Sequence, residues 1–273
     1  RLHSQADYFA RKFDSPAVGG VVALVGVVAL IPYLVLQLKG LGIIVSETSY
    51  GGLPVPAAVW ISTAALVAYV IVSGVHGSAW TAVVKDVMIL AVVVAMGVYF
   101  PLHLHGGLKP MFEAIDKAKP GFLTLPQRGM SPAWFISTVL LSACGAYMWP
   151  HMFASSFTAR DEEVFRKNAA LMPLYQLVLL FALFIGFAAV LEVPGLSGAD
   201  ADLSLVRLSK KCLSPWLVGT IGAAGLLTAL VPGSMLLMSA ATILAKNVYG
   251  RLVPDTGERS IGILARALVP AIA

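Results

Sequence analysis

The hydrophobic positions of this chain are grouped into long runs that contain no charged residue. Each run is longer than the roughly 18 apolar residues that cross a ~30 Å hydrocarbon core as a helix. The uncharged runs cover residues 18–38, 48–84, 87–108, 129–159, 168–191 and 212–245. This pattern predicts an all-α integral membrane protein.

The runs and the polar segments between them predict six complete spans and the start of a seventh. The spans are placed at residues 17–38, 57–75, 86–104, 132–156, 169–191 and 215–247, and the seventh begins at residue 261. Residues 76–85 are assigned to a link and residues 194–213 to a loop. Apolar residues at helical spacing predict a short surface helix over residues 108–118.

The distribution of Lys and Arg predicts the orientation, because cytoplasmic loops carry an excess of them. They are more numerous on the side of Arg1 than on the opposite side. Residues 1–16 are therefore expected to be a cytoplasmic segment that leads into the first span. The chain ends inside an apolar run, so we expect residues 1–273 to be one membrane domain, incomplete at both ends, from the middle of a longer protein.

Composition excludes several classes of protein. The 273 residues are 58% hydrophobic and 12% charged, whereas soluble domains have about 45–50% apolar and about 25% charged residues. Such a low charge content argues against disorder and against nucleic acid as a partner. The sequence has no Gly-rich phosphate loop, no His or Cys metal cluster and no nucleophile–base arrangement. It therefore predicts that the protein is not an enzyme and holds no cofactor.

The fourth span carries the strongest functional signal. Pro150 lacks an N–H and clashes with the preceding turn, and Gly145 lowers the cost of unwinding. A helix broken here would expose a positive N-terminal end that can hold an anion. The candidate substrate-binding residues, which would line the break, are Ser142, Gly145, Tyr147 and Trp149. A simple proline kink in a packed helix is the alternative.

The sixth span carries a second polar stretch around Pro232, where we predict a second helix break. Its candidate cation ligands are Thr228, the carbonyl of Val231 and Ser234. Hydrogen bonds between helices are the commoner use of such hydroxyl groups in membranes. No metal other than sodium is expected.

Two further groups of residues each have a structural and a functional interpretation. His151 follows the break, where packing is the default role and a proton relay the functional one. Lys85 and Asp86 begin the third span, where a pair that snorkels to the cytoplasmic edge is favoured over a gate at mid-membrane.

Three motifs resemble the sodium:solute symporter family. They are W-P-H at 149–151 followed by A-R-D at 159–161, S-G-V-H-G-S-A-W-T at 73–81, and D-Y-F-A-R-K-F at 7–13. The resemblance covers essentially the whole chain. It implies the leucine-transporter-like fold, in which two inverted five-helix repeats hold the substrate near mid-membrane.

Under this resemblance, residues 17–260 contain core helices three to eight and residues 261–273 begin the ninth. Core helices one, two and ten would be absent, so the chain alone should not transport. The segments P-Y-L-V-L-Q-L-K-G at 32–40 and V-P-G-S at 231–234 look most like the monocarboxylate (pyruvate, lactate, acetate) permease branch. The implied function is secondary active symport of a small organic anion with a cation, by alternating access, in the bacterial cytoplasmic membrane.

The sequence departs from the family at two places that concern the coupling ion. Val231 and Pro232 stand where better-known members carry adjacent hydroxyl residues that ligate sodium, and Ala82 stands where they carry an aspartate. Coupling to protons is therefore an alternative to coupling to sodium. The remaining alternatives are a symporter for an amino acid, sugar or vitamin, and a sensor input domain with the same fold.

Overall fold

The computed structural model describes residue 2 and residues 4–196, 198–253 and 257–273, and for Val75, His76 and Ala199 it describes the backbone only. Arg1, which enters the orientation prediction, and the side chain of His76, in the predicted link, lie outside the described part. Within the described ranges, every regular element is a helix.

The helices follow one another along the chain with short connections. Helices α1 to α6 are Gln5–Lys12, Pro16–Thr48, Val55–His105, Leu108–Ala118, Pro132–Gly145 and Pro150–Ser156. Helices α7 to α12 are Glu162–Tyr175, Val178–Glu192, Ser204–Cys212, Pro215–Thr242, Gly250–Leu252 and Glu258–Ile272. A 3₁₀ turn, Ala146–Met148, precedes α6, and a π-helical segment, Ile243–Tyr249, continues α10.

Five helical segments in the described ranges are long and apolar enough to cross a membrane. They are Pro16–Thr48, Val55–Gly74, Gly77–His105, Glu162–Glu192 and Pro215–Leu252. The predicted fourth span is represented by the shorter apolar segment Pro132–Met148. The all-α membrane class predicted from the sequence is confirmed, and the predicted surface helix is present as α4, which buries Met111 and Ile115.

Several boundaries predicted from the sequence are wrong. The segment 76–85, assigned to a link between spans, is helical from Gly77 onward. The change of direction takes place at the kink in α3, where Gly74 has a positive φ of 56°, so a longer link is not needed. The first span does not end at residue 38 but continues to Thr48, through both Pro32 and Gly40. The fifth span begins at Glu162 and is interrupted by a turn at 176–177.

The segment assigned to a loop at residues 194–213 contains α9. This helix buries Val206 and Leu208, and its lysines pair with acidic residues at the ends of two spans. Lys210 lies 3.0 Å from Glu47, and Lys211 lies 2.6 Å from Glu192, whose hydrogen bond raises the pKa of Lys211. The segment is therefore not a simple loop, because these lysines hold a helix across the ends of α2 and α8.

The core is divided between two clusters of buried side chains. One joins α2, the first segment of α3, α10 and α12, and the other joins the second segment of α3 with α4, α8 and α9. Glycines bring the helices close together, as is common in membranes. At Gly97 of α3, for example, a Cβ atom would lie 2.6 Å from the Cβ of Phe181 in α8. In contrast, α5 has no buried residue.

Candidate substrate and ion sites

The predicted fourth span is interrupted between α5 and α6. Helix α5 ends at Gly145, the 3₁₀ turn follows, and Trp149 has an extended backbone with φ −63° and ψ 130°. Pro150 is the first residue of α6. A proline is well tolerated there, because its missing N–H would have no partner within the helix and its fixed φ suits the first turn.

Residues of α2 hold this interruption in place. The ring of Pro150 is buried against Gly26, where a Cβ atom would lie 3.1 Å from Cγ of Pro150. The ring of Tyr33 lies 5.5 Å from the ring of Trp149 and 5.7 Å from that of His151, both edge-on. The broken segment therefore has a fixed position against the first long span.

Two cavities lie beside the break. The smaller one, of about 360 Å³, is lined by Gly145, Met148, Trp149 and Pro150 on one side and by α1 and α2 on the other. The larger one, of about 570 Å³, lies between α6 and α10. Its polar lining residues are Ser4, His151, Ser155, Thr158, Ser239 and Thr242. Nδ1 of His151 is buried and has no hydrogen-bond partner among the described residues.

The four residues proposed for the substrate do not all meet in one place. Gly145 and Trp149 line the smaller cavity together. Ser142 lies on α5 with its side chain exposed, and the ring of Tyr147 lies 5.6 Å from that of Phe165. Gln5 also lines this cavity, and its Nε2 donates a hydrogen bond to the carbonyl of Met148 at 3.0 Å.

Sequence reasoning did not select Gln5, although a signal was present. The segment Ser4-Gln5-Ala6-Asp7 has the spacing of a capping box, which marks the start of a helix. In the structure, Ser4 and Asp7 make both hydrogen bonds of that box. The signal predicts helix α1, but it does not predict that Gln5 reaches the break, since the two residues in contact are 143 positions apart.

The candidate cation ligands in α10 are engaged in hydrogen bonds. The hydroxyl of Ser234 donates to the carbonyl of Val231 at 2.7 Å and lies 2.7 Å from the hydroxyl of Ser78. The hydroxyl of Thr228 donates to the carbonyl of Ala224 at 2.7 Å. Ser78, which follows the kink in α3, was not selected from the sequence.

The second helix break, predicted at Pro232, is not present. Helix α10 runs without interruption from Pro215 to Thr242 and contains Pro232 in its interior. Neighbouring helices and hydroxyl side chains allow membrane helices to contain proline. In this span, half of the residues in the apolar 18-residue stretch are buried. The hydroxyl groups of Ser234 and Ser78 make a polar contact close to the proline.

Lys85 and Asp86 lie within a helix, at some distance from the start of its segment. Lys85 Nζ lies 2.7 Å from Asp86 Oδ1, and the hydroxyl of Tyr175 donates to the same oxygen at 2.9 Å. Tyr175 is the last residue of α7 and lies only seven residues after the start of the uncharged run at residue 168. The contact joins α3 to the fifth span, and the position of the pair relative to the membrane edge stays a prediction.

These features define the class of the protein. It is a multi-pass helical membrane protein in which the fourth span is broken beside two cavities, irregular backbone lines those cavities, and polar groups meet at contacts between spans. Irregular backbone at membrane depth is tolerated only in such positions and is a feature of transporters.

The chain belongs to the sodium:solute symporter family, whose model matches residues 4–272. It is 63% identical over 273 residues to "Uncharacterized symporter YhjB" of Bacillus subtilis (strain 168), covering 100% of this chain and 56% of that protein. It is 32% identical over 271 residues to "Uncharacterized symporter YodF" of the same organism, covering 98% and 54%.

A third relative carries a name that includes a substrate class. The chain is 31% identical over 258 residues to "Monocarboxylate transport permease protein" of Rhizobium johnstonii (strain DSM 114642 / LMG 32736 / 3841), covering 91% of this chain and 50% of that protein. The chain thus spans about half the length of the curated relatives it matches.

Proposed function

We propose that the full-length protein is a secondary active transporter that moves a small monocarboxylate together with a cation across the bacterial cytoplasmic membrane. The observation that carries this proposal is the interruption of the fourth span at Pro150, which lines two cavities. Alternating access would move the segment containing the break relative to α2 and α10, around a site near mid-membrane.

The smaller cavity has the size expected of a site for a small organic solute. Its volume of about 360 Å³ is at the low end of the range of about 300–1,000 Å³ that ligand pockets occupy. No residue described as lining it is charged, and most of its lining is apolar, with Gln5 as a polar group. Similarity to a relative named as a monocarboxylate permease supports the same substrate class.

Sodium is the coupling ion that membership of the family favours. A specific observation supports the proton as a second candidate. The pair of Lys85 and Asp86, with Tyr175, is an ionisable group within membrane-spanning helices. Such groups are costly to place in a membrane and commonly mark ion pathways and proton relays.

The test is uptake of labelled pyruvate by the full-length protein in proteoliposomes, under an imposed sodium gradient or an imposed proton gradient. Accumulation that requires the sodium gradient would support sodium symport, with Thr228, Ser234 or backbone carbonyls as ligands. Accumulation driven by the proton gradient alone would indicate that transport is coupled to protonation of a titratable side chain. If neither gradient moves pyruvate, the monocarboxylate assignment fails, and other solutes or the sensor function must be tested.

Removing the charge of Asp86 should impair cation-driven uptake. Asp86→Asn leaves Lys85, whose side chain is 18% exposed, without its carboxylate partner, and an unpaired cation on a membrane-spanning helix costs more than a lost neutral hydrogen bond. We expect initial rates of uptake to fall about tenfold, since about 1.4 kcal/mol is a factor of ten. Tyr175→Phe removes only one hydrogen bond, so its effect should be a few-fold.

The matched control for these variants is Glu163→Gln, which removes a carboxylate that is 74% exposed at the start of α7. Its uptake should equal that of wild type. Equal uptake by Asp86→Asn and Glu163→Gln, at equal amounts of inserted protein, would show that the pair has no part in transport.

A further inference from the structure

We infer that helix α1 positions the broken span, with Gln5 and Asp7 as the two positioning residues that connect the break to the end of α10. The inference deepens the proposed function, because it names the contacts that must change during alternating access. It is carried by three sets of contacts made by one eight-residue helix.

The first set connects α1 to the break. The side chain of Gln5 is almost fully buried, with 9% of the residue exposed. Its Nε2 donates to the carbonyl of Met148, the last residue of the 3₁₀ turn before Trp149. The amide of Gln5 thus holds the backbone at the point where the span is irregular. A change in the geometry of the break would stretch this hydrogen bond.

The second set connects α1 to the π-helical segment that follows α10. The carboxylate of Asp7 accepts hydrogen bonds from Lys246 Nζ at 2.8 Å and from Asn247 Nδ2 at 2.7 Å. The hydroxyl of Ser4 donates to Asn247 Oδ1 at 2.9 Å. Ser4 and Asn247 are both buried. Hydrogen bonds that involve charged groups are about twice as strong as neutral ones, so this is the firmer of the two connections.

The third set fixes α1 to the first long span. At Gly19 of α2, a Cβ atom would lie 2.6 Å from Cβ of Ala10 and 2.9 Å from the carbonyl oxygen of Ala6. The two helices are therefore packed backbone against backbone at this point. Because α1 is held by α2, it cannot follow both the broken span and α10 if these two separate.

The position of α1 also relates it to the larger cavity. Leu2 and Ser4, just before α1, line this cavity together with residues of α6 and α10. Separation of α6 from α10 would widen the cavity and would have to break either the contact of Gln5 or the contacts of Asp7. Helix α1 thus opposes opening of the larger cavity toward the side of the membrane on which α1 lies. The distribution of Lys and Arg predicts that this side is cytoplasmic.

The test measures access to the larger cavity by alkylation of a single cysteine. Ser239→Cys places a thiol in the cavity wall on α10, in full-length protein whose native cysteines, Cys144 and Cys212 among them, are replaced by alanine. A water-soluble maleimide is added to inside-out membrane vesicles. We expect Gln5→Ala and Asp7→Asn each to raise the alkylation rate about fivefold to tenfold, as the loss of a hydrogen bond to a buried group predicts.

Arg11→Gln is the matched control, because Arg11 lies on the same helix with an exposed side chain, and its alkylation rate should equal that of the parent protein. Unchanged rates in both test variants would overturn the inference, and so would an equal rise in the control. If Asp7→Asn fails to insert, Lys246→Gln breaks the same ion pair from the other side. No solute is needed, so the result does not depend on whether pyruvate is transported.

Discussion

Gly26→Leu should reduce uptake by the full-length protein to about a tenth of wild type or less, with normal insertion into the membrane. The ring of Pro150 occupies the space beside Gly26, and even a Cβ atom there would lie 3.1 Å from Cγ of Pro150. A leucine would push the start of α6 away from α2 and disturb the edge-on contacts of Tyr33 with Trp149 and His151. Overpacking of this kind costs about 1–3 kcal/mol, and about 1.4 kcal/mol is a factor of ten.

The measurement is the initial rate of uptake in proteoliposomes, normalised to the amount of inserted protein. Gly40→Leu is the control on the same helix, because a Cβ atom at Gly40 would meet no atom within 4 Å. It should transport like wild type. Normal uptake by Gly26→Leu would mean that the position of the break against α2 is unimportant for transport.

The membrane class, and most of the spans, follow from the sequence because membrane helices leave a strong local signal. A run of about 20 apolar residues has few structural alternatives, since every backbone polar group must be satisfied within the segment. The same argument explains why the ends of the spans were misplaced. Helix α2 continues ten residues beyond its predicted end, and hydropathy does not distinguish a helix that leaves the membrane from a loop that follows it.

The two prolines show why helix breaks are harder to predict. Pro150 follows Gly145 by five residues and Pro232 precedes Gly233, and both prolines are predicted from the sequence to break a span. Of the two spans that contain these prolines, the fourth is interrupted and the sixth is not, and the first half of the fourth, α5, has no buried residue. Helix α10 is packed between α2 and α3, so its neighbours keep it continuous. Packing between helices decides the outcome, and a single sequence does not contain it.

The candidate sites were predicted least well because they depend on contacts between distant residues. Gln5 and Met148 are 143 positions apart, and Ser78 and Ser234 are 156 positions apart. No spacing rule connects such pairs. Residue type alone selected Ser234 as a candidate ligand, but it gave no reason to choose Ser78 among the serines of the chain.

Gly145→Leu should likewise reduce uptake about tenfold or more, but for a different physical reason. The backbone of Gly145 has φ −89° and ψ −10°, which any residue can adopt, and a Cβ atom there would meet no atom within 4 Å. The leucine therefore causes no clash and should strengthen the end of α5, because leucine favours a helix over glycine by up to about 1 kcal/mol. Its side chain would instead occupy part of the smaller cavity, of about 360 Å³.

Gly26 lines the smaller cavity as Gly145 does, so uptake alone does not distinguish a displaced break from a filled cavity, and the stability of the two variants does. Thermal unfolding in detergent should show lowered stability for Gly26→Leu and unchanged or raised stability for Gly145→Leu. Gly186→Leu, on α8 and also without atoms within 4 Å of its Cβ position, controls for adding a leucine to a span and should transport normally. Wild-type uptake by Gly145→Leu would remove the smaller cavity as the solute site. The larger cavity, with the buried Nδ1 of His151, would then be the stronger candidate.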